Sequence, residues 1–124
     1  MNNKDCKLCP LHERALSVCV PGDGPLSASL LLIGEAPGAD EDAANRPFVG
    51  RSGQLLRKVL RAYGFEARIT NIARCRPPDN RKPTAAEIKA CSIYLEQEVG
   101  RMPGLKVVVP LGGTATKALG IKGQ

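Results

Sequence analysis

Leu30-Leu31-Leu32-Ile33, followed at once by Gly34, is an apolar run with no polar residue inside it. A half-exposed strand alternates apolar and polar residues, whereas a strand buried on both faces, as in a parallel sheet, is apolar throughout. The run is also shorter than an ordinary buried helix. The sequence therefore predicts a buried strand that ends at the glycine.

Two further strands are predicted, over residues 67–73 and 106–110, and helices are predicted between the strands. Strand–helix–strand order is what a parallel sheet needs, because a helix must carry the chain back to the edge where the next strand begins. A chain of 124 residues is long enough for one domain with a modest core. The predicted fold is therefore a three-layer α/β/α arrangement with a central parallel sheet, formed by one domain over residues 1–124.

The helices are predicted from apolar spacing and from capping residues. They run from near Ser52 to Gly64, from the capping box of Thr84 and Glu87 to Gly100, and from a Thr114 cap to near Gly120. The apolar faces of the first two consist of Leu55, Leu56, Val59, Leu60 and Tyr63, and of Ile88, Cys91 and Leu95. Residues 6–28 are predicted to be irregular, and residues 34–53 to form a long loop.

The composition is basic, with 18 Lys and Arg against 12 Asp and Glu and a net charge of +6. Such a surface attracts polyanions, but alone it does not separate nucleic-acid binding from an ordinary basic domain. No apolar run approaches the roughly 20 residues that a membrane helix needs, and no secretory signal is evident. The sequence thus predicts a cytoplasmic protein without a membrane partner.

Cysteine spacing suggests a metal centre. A C-x2-C pair near the N-terminus and two later cysteines can together provide four thiolates, which suit zinc or an iron–sulfur cluster. These four are Cys6, Cys9, Cys75 and Cys91. Alternatively, Cys75 and Cys91 are small buried core residues. Cys19, between two valines, is interpreted as a packing residue, and His12 as a solvated loop residue.

The loop after the first strand combines glycine, proline and carboxylates in the segment Gly34-Glu35-Ala36-Pro37-Gly38. Glycine and proline fix an unusual backbone path there, so that peptide N–H groups can face a ligand. Glu35 can orient water or stabilise a developing positive charge. Asp40 and Asp42 are interpreted as solvated. Further along, Phe48 can stack on a flat base or plug the core beneath the loop.

The segment after the second strand is the other unusual stretch. The Asn71 amide both donates and accepts, so it can pair with a base edge that offers a carbonyl beside an N–H, or form a structural hydrogen bond. The four cations that follow it form either a phosphate-contacting loop or a solvated surface. They are Arg74, Arg76, Arg81 and Lys82.

Taken in order, these motifs resemble family 4 of the uracil-DNA glycosylases. The matching pieces are C-x2-C, G-E-A-P-G-x-x-E-D, P-F-V-G-R-S-G, T-N-x-x-x-C-R-P-P-x-N-R, a further cysteine and V-V-x-L-G. The resemblance implies removal of uracil from single- or double-stranded DNA by a monomer. It also implies a [4Fe-4S] cluster on Cys6, Cys9, Cys75 and Cys91.

Site residues follow from the same resemblance. Phe48 is expected to stack on a flipped-out uracil, Asn71 to bind its polar edge, and residues Gly34, Ala36, Pro37 and Gly38 to form a catalytic loop with Glu35. Glu41 and Asn80 fall on positions linked to catalysis. Family members carry a His-Pro motif after a fourth strand, and this sequence contains neither. We therefore expect a sheet without its last strand, the N-terminal two-thirds of the domain, and reduced activity.

Three alternatives remain open on the sequence. The first is an iron–sulfur module that binds DNA with weak or no glycosylase activity. The second is a zinc-stabilised nucleotide-binding domain. The third is a cousin that traps the abasic sugar covalently, which is disfavoured because the basic inserted loop of that class does not follow Phe48.

Overall fold

The computed structural model describes residues 3–120, with a three-stranded parallel sheet at its centre. The strands are β1 (Leu30–Gly34), β2 (Ala67–Asn71) and β3 (Val107–Pro110), arranged in the order β2-β1-β3. Leu32 pairs with Ile69 on one side and with Val109 on the other. The apolar run that predicts a buried strand is thus the central strand, and the predicted parallel α/β fold class is confirmed.

Within this range, four α-helices flank or follow the strands. They are α1 (Ala39–Ala44), α2 (Arg51–Ala62), α3 (Ala85–Gly100) and α4 (Gly113–Ala118). The predicted capping box begins α3, because Thr84 Oγ1 accepts from the Glu87 N–H at 3.2 Å and Glu87 Oε1 accepts from the Thr84 N–H at 2.8 Å. This helix also ends at the predicted glycine. No helix in the part of the chain described is both long and apolar enough to cross a bilayer.

Several boundaries differ from the prediction. Helix α1 lies inside the segment predicted to be a loop, and its sequence, ADEDAA, has no apolar periodicity that could reveal it. A short 3₁₀ turn occupies Pro10–Glu13 of the irregular lead-in. Helix α4 is capped by Gly112, so Thr114 lies inside the helix rather than at its cap. The second strand ends at Asn71 rather than at residue 73.

The core lies mainly on the face of the sheet covered by α3 and α4. Its buried members are Ala28, Leu31, Ile33, Ile72, Met102 and Ala115. Ile88 and Leu95 of α3 pack against them. Two of the three residues predicted for this helix's apolar face are therefore in contact with the core, and the third, Cys91, is itself buried.

The apolar face predicted for α2, unlike that of α3, is largely exposed. Leu55, Val59 and Tyr63 are 63%, 44% and 74% exposed, and Gly53 is the one residue of the helix that is buried. Apolar spacing identifies an amphipathic helix but does not specify what covers its apolar side. Gly53 and Arg57 of α2 contact the segment that carries Phe48.

Candidate functional site

A cavity of about 310 Å³ opens at the carboxyl ends of β1 and β2. Open α/β sheets bind ligands at this end of their strands. The lining residues are Gly34, Glu35, Ala36, Gly38, Glu41, Phe48, Ser52, Asn71 and Leu111. Three separate segments, at the carboxyl ends of β1, β2 and β3, thus converge on one space.

Phe48 and Asn71 meet at Gly34. A Cβ atom added at Gly34 would lie 2.5 Å from Phe48 Cζ and 2.6 Å from Asn71 Oδ1, so no larger residue fits without displacing one of them. Asn71 is the register partner of Gly34 across the β1–β2 pair and is only 5% exposed. The cavity therefore presents an aromatic ring and an amide side by side.

The backbone at Phe48 is held in the left-handed region, with φ of 56°. Arg57 of α2 fixes this conformation, since its Nε donates to Phe48 O at 2.8 Å and its Nη2 donates to Pro47 O at 2.7 Å. A Cβ at Gly53 would lie 2.2 Å from the Phe48 carbonyl carbon, so the helix approaches the loop closely. Sequence reasoning missed Arg57. Its spacing of four from Gly53, which places both on one side of the helix, is the signal that could have found it.

Glu41 joins the two loops that form the cavity rim. One carboxylate oxygen accepts from Gly38 N at 3.0 Å, and the other accepts from Val49 N at 2.9 Å and Gly50 N at 2.7 Å. Burial favours the protonated acid, but these backbone N–H groups outweigh it and hold the pKa of Glu41 below its ordinary value. The Glu41 carboxylate is therefore an anion that links the two loops, and both of its oxygens accept backbone hydrogen bonds. We call it the anchor of the rim.

The other predicted catalytic residues differ in position. Glu35 lines the cavity, and its Oε2 accepts from Thr114 Oγ1 at 2.6 Å, a partner that the sequence analysis did not identify. Asn80 is exposed and outside the cavity lining, and its Oδ1 accepts from Arg76 Nε at 2.8 Å. Pro37, predicted to contact the base, is buried and does not line the cavity.

Asp42 corrects the expectation of a solvated turn. It is 2% exposed, and its carboxylate accepts from Leu16 N at 3.2 Å and Ser17 N at 2.9 Å. Asp40, two residues earlier, is exposed as predicted. The difference arises because α1, which the sequence did not reveal, turns Asp42 towards the lead-in segment.

The chain contains five cysteines, which we call the cysteine set: Cys6, Cys9, Cys19, Cys75 and Cys91. The pKa of Cys75 is raised to about 12, chiefly by burial, with smaller increases from the charges of Cys91, Cys19 and Cys9 that outweigh the lowering effect of the Cys19 N–H. Burial likewise raises the pKa of Cys91 to about 11, with added effects from Cys9, Cys19 and Cys6. The thiols are thus close enough to influence one another, and four thiolates are the donor set of a [4Fe-4S] cluster.

The cysteine set is not arranged to bind a single metal ion. No set of three or more His, Cys, Asp or Glu side chains between residues 3 and 120 is arranged to hold one metal ion. Cys19 is more than a packing residue, since its N–H donates to Cys75 Sγ at 3.2 Å from a left-handed backbone. His12 Nδ1 lies 2.7 Å from Cys9 O and is half-buried, which corrects its assignment as a solvated residue.

The basic segment after β2 is not a uniform surface. Arg74 is 1% exposed and pairs with Glu98, so the interpretation of a phosphate contact is wrong for this residue. Arg81 donates to both carboxylate oxygens of Glu87, at 2.9 and 2.8 Å. Arg81 and Lys82 are nevertheless exposed.

Comparison with known proteins gives a consistent result. A type-4 uracil-DNA glycosylase of Pyrobaculum aerophilum is 44% identical over 119 residues, which cover 94% of this chain and 60% of the relative. One from Thermotoga maritima is 43% identical, covering 90% and 59%. A type-5 uracil-DNA glycosylase of Thermus thermophilus is 38% identical, covering 81% and 53%. The chain spans about three-fifths or less of the length of these curated relatives.

A family model described as the uracil DNA glycosylase superfamily matches residues 21–123. That range contains all three strands and every cavity-lining residue from Gly34 to Leu111. Since the match covers the sheet, the loops and the cavity together, the chain belongs to the uracil DNA glycosylase superfamily.

Proposed function

We propose that this chain hydrolyses the N-glycosidic bond between uracil and deoxyribose in DNA, leaving an abasic site. The observation that carries the proposal is the meeting of the Phe48 ring and the Asn71 amide at Gly34. An aromatic face stacks on a flat base, and an amide can pair with a carbonyl beside an N–H. The names of the similar relatives favour an enzyme over a non-catalytic DNA-binding module.

The roles of the side chains follow from this chemistry. The base must leave the helical stack to enter a cavity of this size. Cleavage builds negative charge on uracil, which the Asn71 N–H groups would stabilise, and positive charge on the sugar, near Glu35. Glu35, held by Thr114, would also orient the attacking water. Gly34, Ala36, Pro37 and Gly38 would shape the loop around the base.

Two of the proposed catalytic residues act from different places. Glu41 would contribute by holding the rim of the cavity, because its carboxylate already accepts three backbone N–H groups. Asn80 stays a proposed catalytic residue that would act from an exposed loop beside Arg76. The basic balance of the chain supports DNA as the partner of these loops.

We further propose that Cys6, Cys9, Cys75 and Cys91 hold a [4Fe-4S] cluster. The mutual influence of these thiols supports the ligand set, and both Cys75 and Cys91 are buried. Such a cluster would supply a rigid centre that ties the lead-in segment to α3 and to the loop after β2. We also propose that the chain acts as a monomer in the cytoplasm, on single- or double-stranded DNA.

The direct test is incubation of the chain with a uracil-containing oligonucleotide, followed by alkaline cleavage at abasic sites. Asn71→Ala is expected to lower the rate by about a hundredfold or more, the usual effect of removing one anion-stabilising donor. Gln97→Ala, on the exposed side of α3, is the matched control and should cleave normally. Equal rates for Asn71→Ala and the control, or binding of uracil without abasic-site formation, would contradict the proposal.

A further inference from the structure

The main-chain carbonyl of Asn71 faces the outer side of β2, where no strand of residues 3–120 pairs with it. Strand β2 lies at the edge of the sheet, because the order is β2-β1-β3. Ile69 bonds through both its N–H and its C=O to Asp23, whereas the Ile72 N–H donates to Gly34 O of β1. Backbone groups two residues apart along a strand face the same side, so Asn71 faces the side of Asp23. Its buried carbonyl therefore needs a donor from outside the sheet.

Arg74 supplies that donor from three residues further along the chain. Its Nε donates to Asn71 O at 3.0 Å, and its Nη2 donates to Glu98 Oε1 at 2.6 Å. Arg74 and Glu98 are 1% and 0% exposed, and neither lines the cavity that Asn71 lines. One guanidinium thus joins the last turn of α3 to the backbone of the residue whose amide is proposed to bind uracil.

The Glu98 carboxylate is itself held from two further sides. Glu98 Oε2 accepts from Arg68 Nε at 2.7 Å, and Arg68 Nη1 donates to Gly24 O at 2.6 Å. A Cβ atom added at Gly22 would clash with Glu98 Oε2, so the lead-in segment closes tightly over the carboxylate. The acceptor that orients the Arg74 guanidinium therefore has a fixed position.

The energetics of this network favour a geometric role over a stabilising one. A buried ion pair is often no more stabilising than apolar side chains of the same volume, because the loss of hydration offsets the attraction. Arg74 Nη1 is also buried without an acceptor in the part of the chain that the structure describes, which lowers stability further. The network instead provides a single position for the Asn71 main chain at the end of β2.

We propose that Arg74 and Glu98 are positioning residues for uracil recognition, and that they hold the Asn71 main chain so that its amide points into the cavity. The inference rests on the proposed function of Asn71 and requires no metal. Both residues act through Asn71, because neither of them lines the cavity. A shift of a reacting group by about 1 Å can lower a rate on the order of a hundredfold, so small movements of this backbone matter.

The test makes two measurements on the full chain and its variants. Cleavage of a uracil-containing oligonucleotide at saturating concentration gives kcat, and nitrogen-15 NMR gives the side-chain amide resonances of Asn71, which are assigned by their loss in Asn71→Ala. Arg74→Met removes the donor to Asn71 O and should lower kcat by roughly tenfold to a hundredfold and shift these resonances. Glu98→Gln weakens the hold on Arg74 and should change both in the same direction but by less.

Arg68→Met is the matched control for Arg74→Met. It removes the other arginine that binds Glu98 but leaves the bonds of Arg74 to Glu98 and to Asn71 O in place. Its kcat and its Asn71 resonances should therefore stay close to those of the native chain, even where its thermal stability falls as much as that of Arg74→Met.

A double-variant cycle separates positioning from general loosening of the fold. If Arg74 acts through the Asn71 amide, Arg74→Met should lower kcat no further in a chain that already carries Asn71→Ala. Arg74→Lys is the second variant if Arg74→Met does not fold. It keeps the charge beside Glu98 but not the guanidinium fork that reaches both partners, so it should fold with a lowered kcat and shifted Asn71 resonances.

Three results would each overturn this inference and leave the proposed function standing. They are native kcat and native Asn71 resonances in Arg74→Lys, equal losses from Arg74→Met with and without Asn71→Ala, and an effect of Arg68→Met as large as that of Arg74→Met. A native chain that does not cleave uracil would overturn the proposed function instead. The Asn71 resonances would then decide by themselves whether Arg74 positions this amide.

Discussion

The cavity and the cysteine set share one short segment, residues 71–75, but their hydrogen bonding differs. Asn71, in the cavity, and Arg74, beside the thiols, are three residues apart. Around the cavity, Glu41 and Arg57 meet backbone groups of the rim at 2.7–3.0 Å. Beside the thiols, Arg74 has a bare N–H among the described residues, and two thiols have strongly raised pKa values. The protein's own atoms thus satisfy the hydrogen bonds of the cavity rim, whereas hydrogen bonding beside the cysteine set is incomplete among the described residues.

The largest effect expected from this difference is at Gly34. Gly34→Ala would place a methyl group within 2.5 Å of Phe48 Cζ and 2.6 Å of Asn71 Oδ1, displacing one of them. Displacement of about 1 Å commonly costs on the order of a hundredfold in rate, so uracil cleavage should fall by at least that much. Iron content should be unchanged, because the atoms nearest to Gly34 belong to Phe48 and Asn71 and not to the cysteine set.

Gly100→Ala is the matched control for Gly34→Ala. A Cβ at Gly100 meets no atom within 4 Å, and the residue lies at the end of α3 in helical conformation. Cleavage by this variant should equal that of the native chain. Native cleavage by Gly34→Ala would show that the cavity is not the place where uracil is recognised.

Glu41→Ala should have the next largest effect, on stability. The variant removes a carboxylate that accepts three backbone N–H groups across two loops, and bonds of this charged kind contribute roughly 1.5–3 kcal/mol each. We expect the free energy of unfolding in urea to fall by about 2–3 kcal/mol in total, since freed N–H groups at the rim regain water. Asp40→Ala, at the exposed neighbouring position, should change it by only a few tenths. Similar values for the two variants would remove the anchor role.

Glu87, at the start of the helix that bears Cys91, offers a smaller test with a defined pH dependence. Its hydrogen bond to Arg81 lowers the pKa of the Glu87 carboxyl to about 2, below the value of about 4.3 expected in the unfolded chain. The lowered pKa means that its stabilisation is complete above the unfolded value and is lost as pH falls towards 2. Glu87→Gln should therefore be about 1 kcal/mol less stable at pH 7, and the difference should shrink as the pH falls towards 2. A difference as large at pH 2 as at pH 7 would contradict the assignment.

Arg46→Ala should have the smallest effect. Its guanidinium lies 2.8 Å from Asp23 but is 57% exposed, and exposed ion pairs contribute at most about 1 kcal/mol. Arg57 shares Asp23 as a partner but also binds the Pro47 and Phe48 carbonyls, so Arg57→Ala should lower both the melting temperature and uracil cleavage more than Arg46→Ala does. A larger effect for Arg46→Ala, measured by thermal unfolding, would reverse this ranking.

The sequence predicted the central strand and the start of α3 because each has a local signature. Leu30 to Ile33 is apolar throughout, and Thr84 with Glu87 is a capping box that needs no distant partner. Helix α1 escaped prediction because its acidic sequence has no apolar period. The exposure of Leu55 and Tyr63 could not be predicted, since spacing reports amphipathicity and not what covers a face.

For the candidate site, the sequence predicted which residues lie at the strand ends but not their distant partners. Strand-end position brought Glu35 and Asn71 to one edge, and the structure places Phe48 with them. The contacts of Asp42 with the lead-in and of Arg74 with Glu98 join residues 25 and 24 positions apart, and nothing local in the sequence specifies such partners. Whether each predicted residue acts in catalysis stays a prediction.

A crystal structure of the chain with uracil bound is the decisive test of this recognition site. We predict the pyrimidine ring lying against the face of Phe48, with its carbonyl and N–H edge within hydrogen-bond distance of the Asn71 amide and no movement of Gly34. Uracil bound elsewhere, or a cavity that stays empty of uracil at saturating concentration, would contradict the claim that these three residues form the recognition site.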